Sequence, residues 1–259
     1  EASKAAVTWM RNTIDKTLAD IEDSFVRYRI SDALMQAYKL FWDDFSGWYL
    51  EIIKPAFSKP IDGVTHRETL AIFSDLMKIL HPFMPFITEE IWQRLADRPE
   101  GSSIMVEKMP LPAPYEAGML VRFDTVREIV SAVRSVRKEK NIAMREPLVL
   151  CASPGATGTE FDQVIIRMCN LSEIRVVEGK VEGAASFRTG TSEFFIPLSD
   201  GIDHEEEIRK LKEELVYQEG FLESVLKKLS NDKFVSNAPP KVIEIERKKE
   251  ADARARITT

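Results

Sequence analysis

The sequence has 259 residues, of which 44% are hydrophobic and 30% charged. This is the composition of an ordinary globular protein, with enough length for about two domains. A net charge of −6 excludes a surface that is basic throughout, although nucleic-acid binding depends on where Lys and Arg are placed. No apolar run of about 18 residues indicates a membrane span, and the first residues do not form a secretory signal. Two isolated cysteines, Cys151 and Cys169, indicate a reducing, cytoplasmic location and no zinc site.

Residues 1–146 are predicted to form a bundle of amphipathic helices. Apolar residues recur at spacings of three and four in several segments, the pattern of a helix that buries one face. The predicted helices are 2–26, 31–54, 65–81, 85–95 and 117–140. Short joins between such helices favour an α-helical bundle.

The second of these helices contains the aromatic-rich stretch 41–49. The stretch could be a platform for stacking bases, but its helical spacing favours a place in the core. Ser31 can cap this helix, and Thr65–Glu68 has the spacing of a capping box for the next one. The predicted buried stripe consists of Leu34, Tyr38, Phe41, Phe45, Trp48 and Ile52.

The pattern changes at Pro147, and residues 147–201 are predicted to form a small α+β module. Short β-branched and aromatic runs punctuated by Gly and Ser favour strands, with a helix over 160–170. Cys151 lies in a predicted strand and is expected in the core rather than as a nucleophile. Gly155 and Gly158 lack the lysine and Ser/Thr that a phosphate-binding loop needs, so that function is rejected.

Residues 202–259 are predicted to form an antiparallel coiled-coil hairpin. Its first helix has a heptad seam, and Pro239 suits the start of the second helix. With 12 Lys/Arg against 13 Asp/Glu the hairpin is almost neutral, so a spacer or dimerisation element is a fair alternative to a binding arm. The seam consists of Ile208, Leu211, Leu215, Gln218, Leu222, Val225 and Leu229.

No catalytic constellation is found in the sequence. The three histidines, His66, His81 and His204, are far apart and none has a metal-binding spacing. Three glutamates follow His204, which indicates the solvated first turn of a helix rather than a cation site.

The fifth helix carries the strongest indication of a binding surface. Arg127, Arg134 and Lys138 fall within about 40° of each other at the helical repeat. Positions 122 to 145 contain seven basic residues, Arg137 among them, and three acidic ones, which gives this segment a net charge of +4. We interpret this face as a contact surface for a phosphate backbone, the alternative being a solvated face with ion pairs.

Two stretches resemble valyl-tRNA synthetases. Residues 81–93, HPFMPFITEEIWQ, are similar to the anticodon-domain signature of that family, with looser forms in leucyl and isoleucyl relatives. Residues 229–235, LSNDKFV, followed by Ala238-Pro239, are similar to the tip of its C-terminal coiled coil. The resemblance extends over nearly the whole chain in the order bundle, linker module and coiled coil. It implies a mainly α fold: a helical anticodon-binding bundle, a small α+β linker module and an antiparallel coiled-coil hairpin.

The resemblance also implies a function. The parent enzyme joins valine to its tRNA using ATP and Mg²⁺, whereas this part holds the tRNA, without a catalytic site or cofactor of its own. A cytoplasmic monomer that binds valine-specific tRNA, and neither DNA nor a membrane, is expected. The same portion of an isoleucyl or leucyl enzyme is an alternative, as is a dimerisation module. Beyond the basic face, the residues expected to bind tRNA are Lys227, Lys228, Lys233 and Lys241.

Two departures from the family accompany the resemblance. Its adenylate-binding signatures, His-Ile-Gly-His and Lys-Met-Ser-Lys-Ser, are absent, so we expect the chain to be part of a longer polypeptide. The helix that opens the family's bundle also has no counterpart before Trp9.

Overall fold

A computed structural model describes residues 1–55, 57–198, 219–230, 243, 245–247, 249 and 250. Seven α-helices lie within 1–198 of this part, and no described helix has the length and apolarity needed to cross a membrane. One π-helical segment, Leu40–Tyr49, continues the second helix, and a short 3₁₀ turn lies at Ile104–Val106. The α-helices are α1 (Ala2–Val26), α2 (Ile30–Lys39), α3 (Leu50–Ile53), α4 (Gly63–Leu80), α5 (Pro85–Arg94), α6 (Ala117–Glu139) and α7 (Asp162–Cys169).

A four-stranded mixed sheet follows α6, with α7 inserted between its first two strands. The spatial order is β2-β1-β4-β3, in which β1 pairs with β2 in parallel and with β4 in antiparallel orientation. The parallel pair needs the crossover helix α7, which ends at Asn170 with φ 50°, the left-handed cap that Asn tolerates. The strands are β1 (Leu148–Ala152), β2 (Leu171–Val176), β3 (Ala184–Thr189) and β4 (Ser192–Pro197).

An aromatic column passes through the bundle and reaches the sheet region. The rings of Trp9 on α1 and Phe123 on α6 are stacked with centroids 3.8 Å apart, and Phe161 meets Phe123 edge-on at 5.2 Å. Glu1–Pro197 accordingly forms one compact unit, and a second begins at Leu198. Because the predicted bundle and α+β module share this column, their separation near residue 147 stays a prediction.

The second helix differs from its predicted pattern. Its buried residues run Ala33, Ala37, Leu40, then Phe45 and Tyr49, with one step of five where the π-helix begins. A π-turn inserts one residue into the helical register. Before Phe45 the buried face is therefore one residue out of step with the predicted stripe. Leu34 and Tyr38 are therefore exposed and not in the core, whereas Phe45 is buried as predicted.

The stretch 81–93 forms a corner between α4 and α5. His81 Nδ1 lies 2.7 Å from the hydroxyl of Thr88, which itself donates to the Met84 carbonyl. Glu89 accepts hydrogen bonds from Ser103 Oγ and the Ile104 amide, and the Ser103 bond is the main reason that its pKa is lowered. These residues therefore build the fold. The predicted cap at Thr65 is wrong, because Asp62 caps α4 by accepting from the Thr65 amide.

Arg137 joins α6 to the end of α7. Its side chain is buried, and its guanidinium donates to the carbonyls of Ala143, Cys169 and Asn170 at 2.8–3.2 Å. The last carbonyls of a helix have no partner within the helix, so this arginine supplies one. Burial lowers the pKa of Arg137. A guanidinium enclosed in this way cannot reach a phosphate, so the prediction that Arg137 binds tRNA is corrected.

Little of the predicted hairpin lies within the described residues. Positions 219–229 are helical, Val225 is buried as the heptad seam predicts, and Leu222 and Leu229 are half-buried. Lys228 Nζ lies 3.9 Å from Oε2 of Glu246, on the second predicted helix. The remaining seam residues, His204, Lys233 and Lys241 lie outside the described part, so the coiled coil stays a prediction.

We expect Arg137→Ala to lower the free energy of unfolding by about 2–4 kcal/mol. The Cys169 carbonyl loses the Arg137 donor, those of Ala143 and Asn170 keep only their backbone donors, and a cavity forms. Arg137→Lys should recover only part of the loss, since one ammonium cannot match the guanidinium fork. The measurement is urea unfolding followed by circular dichroism, with the exposed Arg145→Ala as the matched control. Equal stability of Arg137→Ala and the control would contradict this role.

Candidate nucleic-acid interface

A groove of about 360 Å³ lies between the π-helix and α6. Its lining combines one aromatic ring, two hydroxyls, one aliphatic side chain and three cations. Volumes above about 300 Å³ are typical of sites for small ligands. The lining consists of Trp48 from the π-helix and, from α6, Arg127, Val130, Ser131, Arg134, Ser135 and Lys138.

Helix α6 positions these groups by its repeat. Its opposite face is apolar and buried, with Phe123, Val126 and Val133 in the core. Residues separated by three, four or seven positions return to one face of a helix. Ser131, Arg134 and Lys138 are therefore exposed on the same side. The structure thus brings Arg127, Arg134 and Lys138 together along one groove, as their angular spacing predicts.

Arg127 is held in a clamp of one carboxylate and three aromatic rings. Its guanidinium pairs with Asp44 of the π-helix and lies 5.3–5.6 Å from the ring centroids of Trp9, Trp48 and Phe123. The side chain of Arg127 is 32% exposed and that of Asp44 only 17%. Burial raises the pKa of Asp44, and the attraction to Arg127 only partly offsets that shift. The charge of Arg127 is therefore largely compensated before any phosphate approaches.

Arg134 and Lys138 are the uncompensated cations of the groove. Both are exposed, and neither forms an ion pair with any residue in the described part of the chain. Arg122 on the same helix differs, because Glu116 and Glu160 lie 2.8 and 2.6 Å from its guanidinium. The positive potential of α6 is thus concentrated near its C-terminal end.

The other predicted contacts are distributed differently. Lys227 and Lys228 are exposed in the second unit, and Lys228 shares Glu246 with Lys249. The hydrogen bond from Lys249 is the main reason that the pKa of Glu246 is lowered. Lys233 and Lys241 lie outside the described residues. Within the described part no cluster of three metal-ligating side chains occurs. Burial raises the pKa of the Cys151 thiol, which therefore carries less of the reactive thiolate.

Four groups of this site were not predicted as functional. Ser131 and Ser135 follow from helical spacing once Arg134 and Lys138 are chosen. Asp44 and Trp48 carry no such signal, because they reach the groove only through the π-turn. The available indications are the aromatic-rich stretch itself and its two adjacent carboxylates, Asp43 and Asp44, which do not tell the two acids apart.

Residues 8–152 match the family described as the anticodon-binding domain of tRNA ligase. Because this match covers more than half of the chain, the chain belongs to the family of anticodon-binding domains of tRNA ligases. Residues 203–257 match a second and narrower family, the valyl tRNA synthetase tRNA binding arm. The two matches follow each other in the order that the sequence resemblance implies, which confirms that resemblance.

Several relatives carry the name valine–tRNA ligase. The chain is 50% identical over 262 residues to that of Phocaeicola vulgatus, covering 100% of this chain and 30% of the relative. Identity is 52% over 257 residues with Parabacteroides distasonis, covering 99% and 29%. With Enterococcus faecalis it is 33% over 257 residues, covering 94% and 29%. The chain therefore spans about 30% of the length of these relatives.

We expect Asp44→Asn to tighten RNA binding and to lower the free energy of unfolding by about 1–3 kcal/mol, because the part-buried guanidinium of Arg127 loses its charged partner. The loss is limited because the amide can still accept from Arg127 and because burial of the carboxylate, which raises the pKa of Asp44, is relieved. Without the carboxylate, the positive charge of Arg127 is free to attract an RNA phosphate. Binding should then depend more steeply on salt concentration.

Asp43→Asn is the matched control, because Asp43 is an exposed neighbour outside the clamp. Binding can be measured by fluorescence anisotropy across a salt series and stability by urea unfolding. Weaker binding by Asp44→Asn than by Asp43→Asn would show that Arg127 needs its carboxylate in order to support RNA.

Proposed function

We propose that this chain is the tRNA-binding part of a valine–tRNA ligase. The match of residues 203–257 to the valyl tRNA synthetase tRNA binding arm carries the proposal, because its description names the valyl enzyme whereas the anticodon-binding family is described for tRNA ligases in general. The relatives named valine–tRNA ligase, which are similar along at least 94% of the chain, support it. The partner is valine-specific tRNA, and the chain acts in the cytoplasm as part of a monomer.

The chemistry belongs to the whole enzyme in this proposal. A ligase of this kind attaches valine to tRNA with ATP and Mg²⁺, and this chain supplies affinity and position rather than reacting groups. Binding energy from parts of a substrate remote from the reaction can serve to orient the reacting end. The groove and the arm would contribute in this way.

Arg134 and Lys138 make the phosphate contacts of the compact unit in this proposal. Both are exposed and have no acidic partner among the described residues, which leaves their positive charges free to displace counterions from RNA. Arg127 acts chiefly by positioning Trp48 and the π-helix beside them, through its pair with Asp44. On the arm, Lys227, Lys228, Lys233 and Lys241 make further contacts.

We expect Arg134→Ala/Lys138→Ala to weaken binding to different tRNAs alike. The slope of log K against log salt should flatten by up to about 0.7–0.9 for each lost contact. Fluorescence anisotropy with unmodified tRNA transcripts at several salt concentrations measures both quantities. The matched control is Arg27→Ala/Arg94→Ala, which removes two exposed arginines already paired with Asp23 and Glu90.

An unchanged slope in Arg134→Ala/Lys138→Ala would mean that this face is only solvated. Equal losses in the test and control variants would mean that net charge, rather than this groove, determines the affinity. Either result would contradict the proposed contact surface.

For the arm, we expect alanine at Lys227, Lys228, Lys233 and Lys241 together to weaken tRNA binding without changing the oligomeric state. Each lysine near the backbone releases counterions when RNA binds. Anisotropy measures affinity and sedimentation velocity measures association. A concentration-dependent dimer whose tRNA affinity is untouched would instead identify a dimerisation element. The control variant replaces four exposed lysines elsewhere: Lys4, Lys39, Lys54 and Lys180.

A further inference from the structure

One end of the helical bundle carries exposed aromatic rings that the proposed tRNA contacts do not use. Phe25 near the end of α1 and Phe83 in the corner between α4 and α5 are stacked with their ring centroids 6.3 Å apart. Within three positions of this pair along the chain, Tyr28 and Phe86 are each 90% exposed. We call these two rings and their exposed apolar neighbours the end surface, which consists of Val26, Tyr28, Met84, Phe86 and Ile87.

The end surface is large for an apolar area in contact with solvent. Aromatic side chains have roughly 150–250 Å² of surface each, so Tyr28 and Phe86 present on the order of 300–400 Å² together. An exposed apolar patch of several hundred Å² usually marks a contact with another molecule or another domain.

The backbone of Tyr28 also indicates a contact outside this unit. Helix α1 ends in a Schellman motif, in which the Arg29 amide donates to the Ser24 carbonyl at 2.8 Å. The Tyr28 amide donates to the Phe25 carbonyl at 3.0 Å. This motif holds Tyr28 at φ 56°, a left-handed conformation that is usual for glycine and strained for a bulky residue. A strained tyrosine whose ring adds nothing to the core is a candidate for function.

The charge around the end surface disfavours RNA as the partner. The charged residues of segments 22–32 and 81–90 are Glu22, Asp23, Arg27, Arg29, Asp32, Glu89 and Glu90. Acidic residues therefore outnumber basic ones, and Arg27 is already paired with Asp23 at 2.9 Å. A phosphate backbone needs an excess of cations, so these segments fit a partner that is apolar with a basic rim.

The size of the end surface disfavours a second copy of the chain. Each partner in a stable dimer buries roughly 800 Å², and these five side chains offer less. Contact within one polypeptide needs a smaller area, because the linkage keeps the two surfaces at a high effective concentration. The relatives contain such additional polypeptide, since the chain spans about 30% of their length.

We infer that the end surface docks onto another part of the same longer polypeptide, outside these 259 residues. This rests on the proposed function, which places the chain within a longer ligase. Tyr28 and Phe86 insert their rings into an apolar surface with basic residues at its edge. Docking holds the tRNA-binding part in one position relative to the rest of the polypeptide, whereas an undocked unit would move about its connection.

Hydrogen exchange followed by mass spectrometry tests the docking in the full-length polypeptide and in the 259-residue chain. The amides of Ile30 and Phe86 lie in the first turns of α2 and α5, where amides have no partner within the helix. They should exchange freely in the chain alone. In the full-length polypeptide we expect exchange to be slower by about tenfold or more, because docking excludes solvent.

Substitution of one ring is read at the other segment, so that a local effect does not interfere. In the full-length polypeptide, Phe86→Ser should restore fast exchange at Ile30, and Tyr28→Ser should restore it at Phe86. Tyr28→Gly, which suits the left-handed turn, should act like Tyr28→Ser. None of these variants should lower the Tm of the 259-residue chain by more than about 2 °C, because both rings are exposed.

Phe57→Ser is the matched control. Phe57 is 98% exposed in the loop before α4, whereas the end surface lies beyond the other end of that helix. The 18 residues of α4 span about 27 Å. Phe57→Ser should therefore leave the slow exchange at Ile30 and Phe86 unchanged in the full-length polypeptide.

Four results would overturn the docking. They are equal exchange in the full-length polypeptide and the chain, slow exchange already in the chain alone, slowing that requires added tRNA, and slow exchange that survives both Phe86→Ser and Tyr28→Ser. Slow exchange in the chain that depends on its concentration would assign the end surface to a second copy. Failure of the proposed function differs from all of these. A full-length polypeptide that shows the slow exchange but does not charge tRNA with valine would overturn the function and leave the docking intact.

Discussion

The clamp around Arg127 is the interaction on which the candidate site depends. One guanidinium contacts rings from α1, the π-helix and α6 and pairs with a carboxylate that is mostly buried. A half-buried cation is costly unless it is paired and well packed. The aromatic faces and Asp44 meet that cost together, and they fix how far α6 stands from the π-helix. Arg127 therefore sets the width of the groove, although its own charge is largely neutralised by Asp44.

The π-helix is the second constraint, because it decides which aromatic residues face outward. The extra residue places Phe45 and Tyr49 in the core, and Asp44 and Trp48 then lie beside α6. A regular α-helix continuing the register of Ala33, Ala37 and Leu40 would instead turn Asp44 and Trp48 into the core. Local irregularities of this kind are common at functional sites. Here the irregularity supplies one wall of the groove, and the regular repeat of α6 supplies the other.

Much of the fold could be predicted because it follows from local periodicity. The bounds of α1 and α6, the four strands and the burial of Phe45 and Cys151 follow from apolar spacing and turn residues. The partners of charged residues could not be predicted in this way, because pairs such as Arg127 with Asp44 connect positions 83 apart. Arg137 illustrates this limit. Its position in the sequence groups it with the basic face, but its side chain points toward α7. Whether a cation is free or enclosed is a tertiary property.

Cys169 lies under the same end of α7 that Arg137 completes. Its side chain is 1% exposed, and burial raises its pKa to about 12, so the reactive thiolate is almost absent while the fold is closed. The other free cysteine, Cys151, is also buried, in the strand next to β2. Electrophiles that modify surface thiols would leave the native protein unlabelled until this region opens. The rate at which Cys151 and Cys169 are modified therefore measures how often the sheet region opens. A single cysteine added on the surface could carry a probe without competition from them.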